Sequence, residues 1–405
     1  MAVFGFCNPK FERVRREFER NFEERGEVGA SVCVTVEGET VVDLWGGTAR
    51  VDTGVPWQQD TVSIVYSCTK GATSLCAHIL ASRGLLDLDA PVVQYWPEFG
   101  KAGKEKITVK MLLNHQAGLA AISKPLPRGA FYNWDLMIAA FEDQEPFWEP
   151  GTRHGYHLIT FGWPIGEVIR RVSGKSLGAF FRDEVAQPLG LDFWIGLPEE
   201  IEPRVAPMIP ADPPGPNDPI SPFYIAAANP SSLQALAFGN VGGYMDPGEV
   251  DSRDAHAAEI GAAGGISNAR GLAGMYAPLA CGGSLRGVKL VDSDALVRMA
   301  AVSSASGKDA MLLGPTRFAL GFMKGMDNRR QPPGLQDSVI LSEEAFGHAG
   351  AGGSLGFADP KARMSFGYTM NKMGPGIAIN ERGQSLVDAT YLALGYRTNA
   401  PGSWV

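Results

Sequence analysis

Residues 63–86 read SIVYSCTKGATSLCAHILASRGLL, and the reading of this stretch decides the rest of the chain. A short extended run over 61–66 leads into Ser67. Beyond it Leu75, Cys76, Ile79 and Leu80 recur at helical spacing, with apolar residues on nearly every side and Gly84 where a C-cap belongs. A helix apolar all round is a buried helix. Ser67 stands at its first turn and Lys70 three residues on, so the two share a face. Two readings stand at this point. Ser67 is an N-cap beside a surface lysine, or it is a nucleophile with a base one turn away. In the second, the helix N-terminus favours a developing oxyanion, and burial lowers the lysine pKa enough for it to take a proton.

Working outward, a charged helix over 10–25 stops at Gly26. The stretch GASVCVTVEGETVVDLWGGTA (29–49) gives two strands, 30–36 and 40–45, joined around Glu37-Gly38 as a hairpin. Helical segments follow. ITVKMLLNHQAGL (107–119) has Thr108 as N-cap and Gly118 as stop, which places His115 inside a helix as a structural residue. Ile165, Val168, Ile169 and Val172 form one face of a helix ending at Gly174. Residues 205–250 are rich in Pro, Gly, Asn and Asp and read as a long functional excursion. Strands return in the last third, before a helix near 381–395. Strands at both ends with helices between make an α/β (α+β) chain. A sheet domain from 1–66 and 290–405 carries an inserted helical domain, 67–289.

The 405 residues are 45% hydrophobic and 20% charged, with a net charge of −8. The acidic balance and scattered basic residues argue against nucleic acid or an anionic membrane surface as partner. No apolar run approaches the roughly eighteen residues of a membrane span. The N-terminal patch lacks a leading positive charge and a signal-peptide core, so a cytoplasmic protein is expected. Five widely spaced cysteines fit no zinc pattern and read as reduced thiols, Cys68 among them as a packed neighbour of Ser67. His154 and His157 lack a third ligand, so no metal is expected, and no cofactor motif is present. SGKS at 173–176 has Ile169 where a phosphate loop requires glycine.

G-x-S-x-G occurs around Ser176 and Ser354. The nucleophile elbow needs a preceding strand and a downstream histidine. Ser176 follows a helical pattern, and His348 is the last of six histidines, so both matches are read as accidental.

Three ordered stretches, YSCTKG (66–71), WEPGTRHGYHLITFGWPIGEVIRRVSGKSL (148–177) and FGHAGAGGSLGFADP (346–360), resemble the serine hydrolases with a class C β-lactamase fold, and within them the family VIII carboxylesterases. ITVKMLLNHQAGL and DAPVVQYWPEF (89–99) are also similar to that family. The resemblance implies a β-lactamase/DD-peptidase-like fold, with an antiparallel sheet flanked by helices and an active site between sheet and helical lobe. It implies that Ser67 is the nucleophile, Lys70 its partner, and Tyr156 a general base whose phenolate Lys70 stabilises. By the same register the N–H groups of Ser67 and Ala351 form the oxyanion hole, and His348 and Gly350 lie on the substrate-binding strand. Phe223 and Tyr224 in the excursion are expected to wall an acyl pocket.

Departures from the pattern point away from β-lactams. His348-Ala349-Gly350 stands where a β-lactamase has Lys-Thr-Gly, and Leu158 where it has asparagine. The expected activity is hydrolysis of small lipophilic esters through an acyl-enzyme, with weak β-lactamase activity as a by-product. Acyl transfer, D-amino-acid peptide cleavage and ligand binding without turnover are the alternatives on the same scaffold.

Overall fold

In the computed structural model, which describes residues 2–405, the two ends of the chain build one sheet. Its strands are β1 (Val3–Cys7), β2 (Gly29–Val36) and β3 (Glu39–Arg50) from the N-terminal side. From the other side come β4 (Ser304–Ser306), β5 (Thr316–Phe318), β6 (Met323–Lys324), β7 (Phe346–Ala349), β8 (Leu355–Asp359) and β9 (Met364–Met370). The order across the sheet is β1-β3-β2-β9-β8-β7-β6-β5-β4, antiparallel throughout, with Val55–Pro56 as a tenth strand beside β3. The β2–β3 turn has positive φ at Glu37 and Gly38, the turn geometry that matches strand twist. β1 had no counterpart in the sequence reading. Its register, Val3 opposite Gly46 to Cys7 opposite Val42, extends the hairpin to a third strand.

Two helices cover the outer face of the sheet. α1 (Glu12–Glu24) turns Val14, Phe18 and Asn21 inward, and the C-terminal α5 (Glu381–Leu394) meets it with Leu386, Val387 and Tyr391. On the inner face lies α2 (Cys68–Ser82), every residue of which is buried from Cys68 to Leu80. It packs Leu75, Ile79 and Leu80 among Ile165, Val168 and Ile169 of α3 (Gly162–Ser173), in a core that also contains Phe346 of β7. Gly84 ends it with φ +70, while Leu85 N–H reaches Leu80 O and Gly84 N–H reaches Ala81 O. The predicted C-cap is a Schellman motif.

Two boundaries differ from the sequence reading. α4 (Ala269–Ala280) lies directly on the sheet, because glycines at 356 and 367 leave no side chain in the way. A Cβ at Gly367 would meet Ala269 O at 2.2 Å. The sheet domain therefore resumes at 269 rather than 290. The helix expected to run to Gly118 is only Val109–Leu113; Thr108 caps Met111 N–H as predicted, but Asn114 ends it and His115 turns left-handed at φ +64. Asn114 spends its side-chain amide on Gln116 and Ser303, which fixes this early stop. The excursion 205–250 is partly helical, with helices at Pro222–Ala227 and Leu233–Gly239. No helix among the described residues is long and apolar enough to cross a membrane.

Candidate active site

The backbone delivers Ser67 in a strained turn. Ser63–Ile64 pairs with Gly265–Ser267, then Tyr66 takes φ +42, a conformation seldom adopted by a bulky residue, before α2 begins. Thr69 holds the turn by donating to Tyr66 O at 2.5 Å and accepting Gly265 N–H at 2.8 Å. Ser67 is the N-cap residue, yet its side chain makes no capping bond. The hydroxyl is left for Lys70, whose Nζ lies 3.0 Å from Ser67 Oγ.

Lys70 is fully buried, with no carboxylate as counter-ion among the described residues. Its Nζ donates to Leu158 O at 2.6 Å and Ala262 O at 3.0 Å. Burial holds the amine well below its usual value of 10.5. A neutral amine has two N–H donors and one lone pair. In that form the two carbonyls can take both donors, which leaves the lone pair to face Ser67.

Tyr156 faces the same amine, with Lys70 Nζ 4.8 Å from its ring centroid. The ring stacks on Phe318 (centroids 5.6 Å, 5° between planes) and meets His115 edge-on at 4.9 Å. Its backbone N–H is clamped by Asp309, 3.0 Å to Oδ1 and 3.1 Å to Oδ2. Burial raises the phenol, opposed by a hydrogen bond with Ser67. Without solvent around them, both groups are driven towards their neutral forms.

The backbone N–H groups of Ser67 and Ala351 have no acceptor within the described chain, and both residues line the same cavity. Ala351 opens a tight turn after β7, in which Gly352 and Gly353 take φ +82 and +121.

His348 and Gly350 do not reach the cavity wall, which corrects their assignment as substrate contacts. The β7 pleat turns His348 inward against the Tyr156 ring (centroids 6.0 Å), where Nδ1 donates to Ala349 O and burial lowers the imidazole to about 3. Gly350 has a different use: a Cβ there would meet Ser354 Oγ at 2.2 Å and Val65 O at 2.3 Å. It lets the strand approach the chain that carries Ser67.

The cavity is about 260 Å³ and mostly apolar. Phe223 and Tyr224 line it from the excursion, with Phe238 and Tyr244 beside them and Leu158 next to Tyr156. Phe223 is fully buried and backs the wall, while Tyr224 is 41% exposed.

The other candidates have local partners. Ser176 caps Ala179 N–H and donates to Glu259 at 2.7 Å; Ser354 donates to Val65 O. The Cys68 thiol is buried and raised to about 12. His157 accepts Leu119 N–H at Nε2 and donates from Nδ1 to Gly155 O, while His154 Nε2 meets Thr316 Oγ1 at 2.8 Å.

Two residues of the site escaped sequence reasoning. Asp309 is buried and collects N–H groups of Tyr156, Met311 and Leu312 with the Thr316 hydroxyl; SGKDAM gives no hint of this. His115, off its helix, accepts His157 N–H at Nδ1 and packs on Tyr156. A left-handed residue after a short helix was the missing signal.

Comparisons with known proteins place the whole chain in one family. Residues 14–388 match the Beta-lactamase family. The chain is 35% identical over 383 residues to the esterase/beta-lactamase LipL of Mycobacterium tuberculosis, covering 92% of this chain and 83% of that protein. A crystal structure of a family VIII carboxylesterase superposes with a TM-score of 0.83 at 39% identity, covering 97% of this chain and all of that one. A penicillin-binding protein homologue from Caulobacter crescentus gives the same TM-score at 33% identity, over 97% and 100% of the two chains.

Proposed function

Because the chain belongs to the β-lactamase family, we propose that it is a serine carboxylesterase that hydrolyses small to medium lipophilic esters through an acyl-enzyme at Ser67. The observation that carries this reading is the placement of Lys70 Nζ, 3.0 Å from Ser67 Oγ with its other hydrogen bonds on carbonyl oxygens.

In the first half-reaction Ser67 Oγ bonds to the ester carbonyl carbon, and its proton passes to the Lys70–Tyr156 pair. The carbonyl oxygen becomes an oxyanion facing the N–H groups of Ser67 and Ala351, and these fixed dipoles need no reorganisation. On collapse, the carbon–alkoxide bond breaks and Tyr156 Oη returns a proton to the leaving oxygen. Water repeats the sequence against the acyl-enzyme, its proton going to the same pair and then to Ser67. Neutral resting states suit this shuttle, since each member alternately accepts and releases a proton without a standing ion pair.

The apolar walls favour an uncharged acyl group. A β-lactam carboxylate would find a neutral, inward-turned His348 at the third motif, so any β-lactamase activity is expected to be weak. Five free cysteines support a reducing, cytoplasmic setting. The test is hydrolysis of p-nitrophenyl butyrate by the wild type and Ser67→Ala. Turnover that falls on the order of 10⁴–10⁶ in kcat supports the reading. Wild-type protein without turnover removes it.

A further inference from the structure

The turn after β7 carries one of the two donors that face the oxyanion, the Ala351 N–H, and it is held largely from outside. Within it, Gly353 N–H reaches Gly350 O at 3.0 Å and Gly350 N–H reaches Ser354 O at 2.7 Å. The Gly352 carbonyl at its tip is taken by a distant segment. It accepts Gly374 N–H at 2.9 Å and Asn380 Nδ2 at 2.8 Å. Two donors occupy both lone pairs of that oxygen.

The Asn380 amide sits in a socket that glycines leave open. A Cβ at Gly353 would meet Nδ2 at 2.5 Å, and one at Gly374 would meet it at 2.1 Å. The other end of the amide is also engaged: Oδ1 accepts Arg382 N–H at 3.1 Å and so caps α5. One side chain thus ties the start of a long helix to the oxyanion turn. Met373, from the same segment, packs under the turn, where a Cβ at Gly352 would meet its Cβ and Cγ at 2.8 Å. Its Sδ accepts the Tyr66 hydroxyl at 3.8 Å, and Tyr66 immediately precedes Ser67, the source of the other donor.

We propose that Asn380 is a positioning residue for the oxyanion hole: its amide fixes the Gly352 carbonyl and with it the turn on which Ala351 N–H faces the cavity. Asn380 is absent from the cavity wall, so it acts through the turn and not on the substrate. A displaced donor weakens the hold on charge that develops only in the transition state, so its cost falls on kcat and not on KM. This catalytic consequence rests on the esterase reading; the clamp on the turn does not.

Two variants break the same contact from opposite sides. Asn380→Asp still caps α5 but presents an oxygen to Gly352 O where Nδ2 donated. Gly374→Ala leaves Asn380 in the chain and displaces its amide, the yielding end of a side chain. Each is compared with wild type by p-nitrophenyl butyrate kinetics, by inhibition with butylboronic acid, which forms a tetrahedral adduct on a serine nucleophile, and by hydrogen–deuterium exchange of the peptide spanning 346–356. In both, kcat is expected to fall about tenfold with KM within twofold, boronic acid inhibition to weaken about tenfold, and exchange in the turn to quicken. The loss stays below the 10²–10³ of a deleted oxyanion donor, because Ala351 N–H is moved and not removed. If either variant fails to fold, the other decides. Unchanged kcat and boronic acid inhibition overturn the proposal, and so does a rise in KM alone. If exchange quickens in the variants while the wild type neither turns over ester nor binds the boronic acid, the esterase reading fails and the clamp stands.

Discussion

Lys70 Nζ stands 3.0 Å from Ser67 Oγ and, among the described residues, has no carboxylate to hold its charge. A buried ammonium without a counter-ion is costly. Three oxygen atoms within hydrogen-bond reach satisfy the amine, and burial favours the neutral form that a base requires. A surface lysine beside an N-cap serine, the bland reading of S-x-x-K, would show neither the burial nor the free serine hydroxyl.

A pH profile follows from that relationship. The folded-state pKa of Lys70 lies well below 10.5, and the base form is the deprotonated one. Activity therefore falls as pH drops through that lowered value and reaches its plateau below 10.5. Measured kcat/KM for a p-nitrophenyl ester across pH 5–10 should show this acidic limb, and Lys70→Met should lose about 10²–10⁴ of the rate. A mutant that keeps its rate contradicts the role.

Tyr156→Phe removes one oxygen from a ring held by Phe318, His115 and the Asp309 clamp, so the fold should be preserved. The expected loss is about 10²–10⁴ in kcat with little change in KM, because the lost group moves protons and does not bind the acyl chain. Circular dichroism of the variant checks that the fold is intact.

Asp309 acts through Tyr156. Asp309→Ala leaves three buried N–H donors and the Thr316 hydroxyl without their acceptor, at a cost of about 2–4 kcal/mol. Denaturant unfolding should report that loss. Activity should fall mainly in kcat, as the tyrosine loses its fixed position.

Acid stability should be set by buried neutral histidines. His78 and His157 are lowered to about 4 and His348 to about 3, from an unfolded value of 6.5, through loss of solvent. Below pH 6.5 the unfolded chain takes up these protons first. The stability is full above that pH and drains as pH falls towards 4, by on the order of 3 kcal/mol for a single such group. Thermal melts between pH 8 and 4 should show the midpoint falling across that window rather than only below pH 4.

Gly350→Ala tests the corrected role of the glycine. A methyl group would press on Ser354 Oγ and on Val65 O, and the latter is backbone with no room to turn away. A loss of about 1–3 kcal/mol is expected, with reduced turnover as the Val65–Ser67 segment shifts. A stable, fully active variant would argue against the close approach.

Much of this was legible in the sequence because periodicity and punctuation carry it. The all-round apolar pattern after Lys70 marked a buried helix, Glu37-Gly38 a hairpin, and Gly84 a cap; all three appear. Local chemistry also disposed of Ser176 and Ser354, each of which has a structural partner. What was hidden depends on contacts between distant segments. Asp309 reaches Tyr156 across 153 positions, and Lys70 finds Ala262 across 192. His348 faces inward because of the β7 pleat, which a glycine-rich sequence does not encode. The same distance in sequence hid how strongly burial raises the Tyr156 phenol, since burial is a property of the assembled lobes, whereas the lowered Lys70 amine was expected from its place on a buried helix. The boundary at 269 was hidden likewise, α4 being helical in pattern but bound to the sheet through glycines at 356 and 367.

The central claim is that Ser67 forms the covalent bond, and a fluorophosphonate probe reads this directly. After the probe inactivates the protein, peptide mass spectrometry should find one adduct, on Ser67, and none in Ser67→Ala. An adduct on Ser176 or Ser354, or equal labelling of Ser67→Ala, would contradict the account.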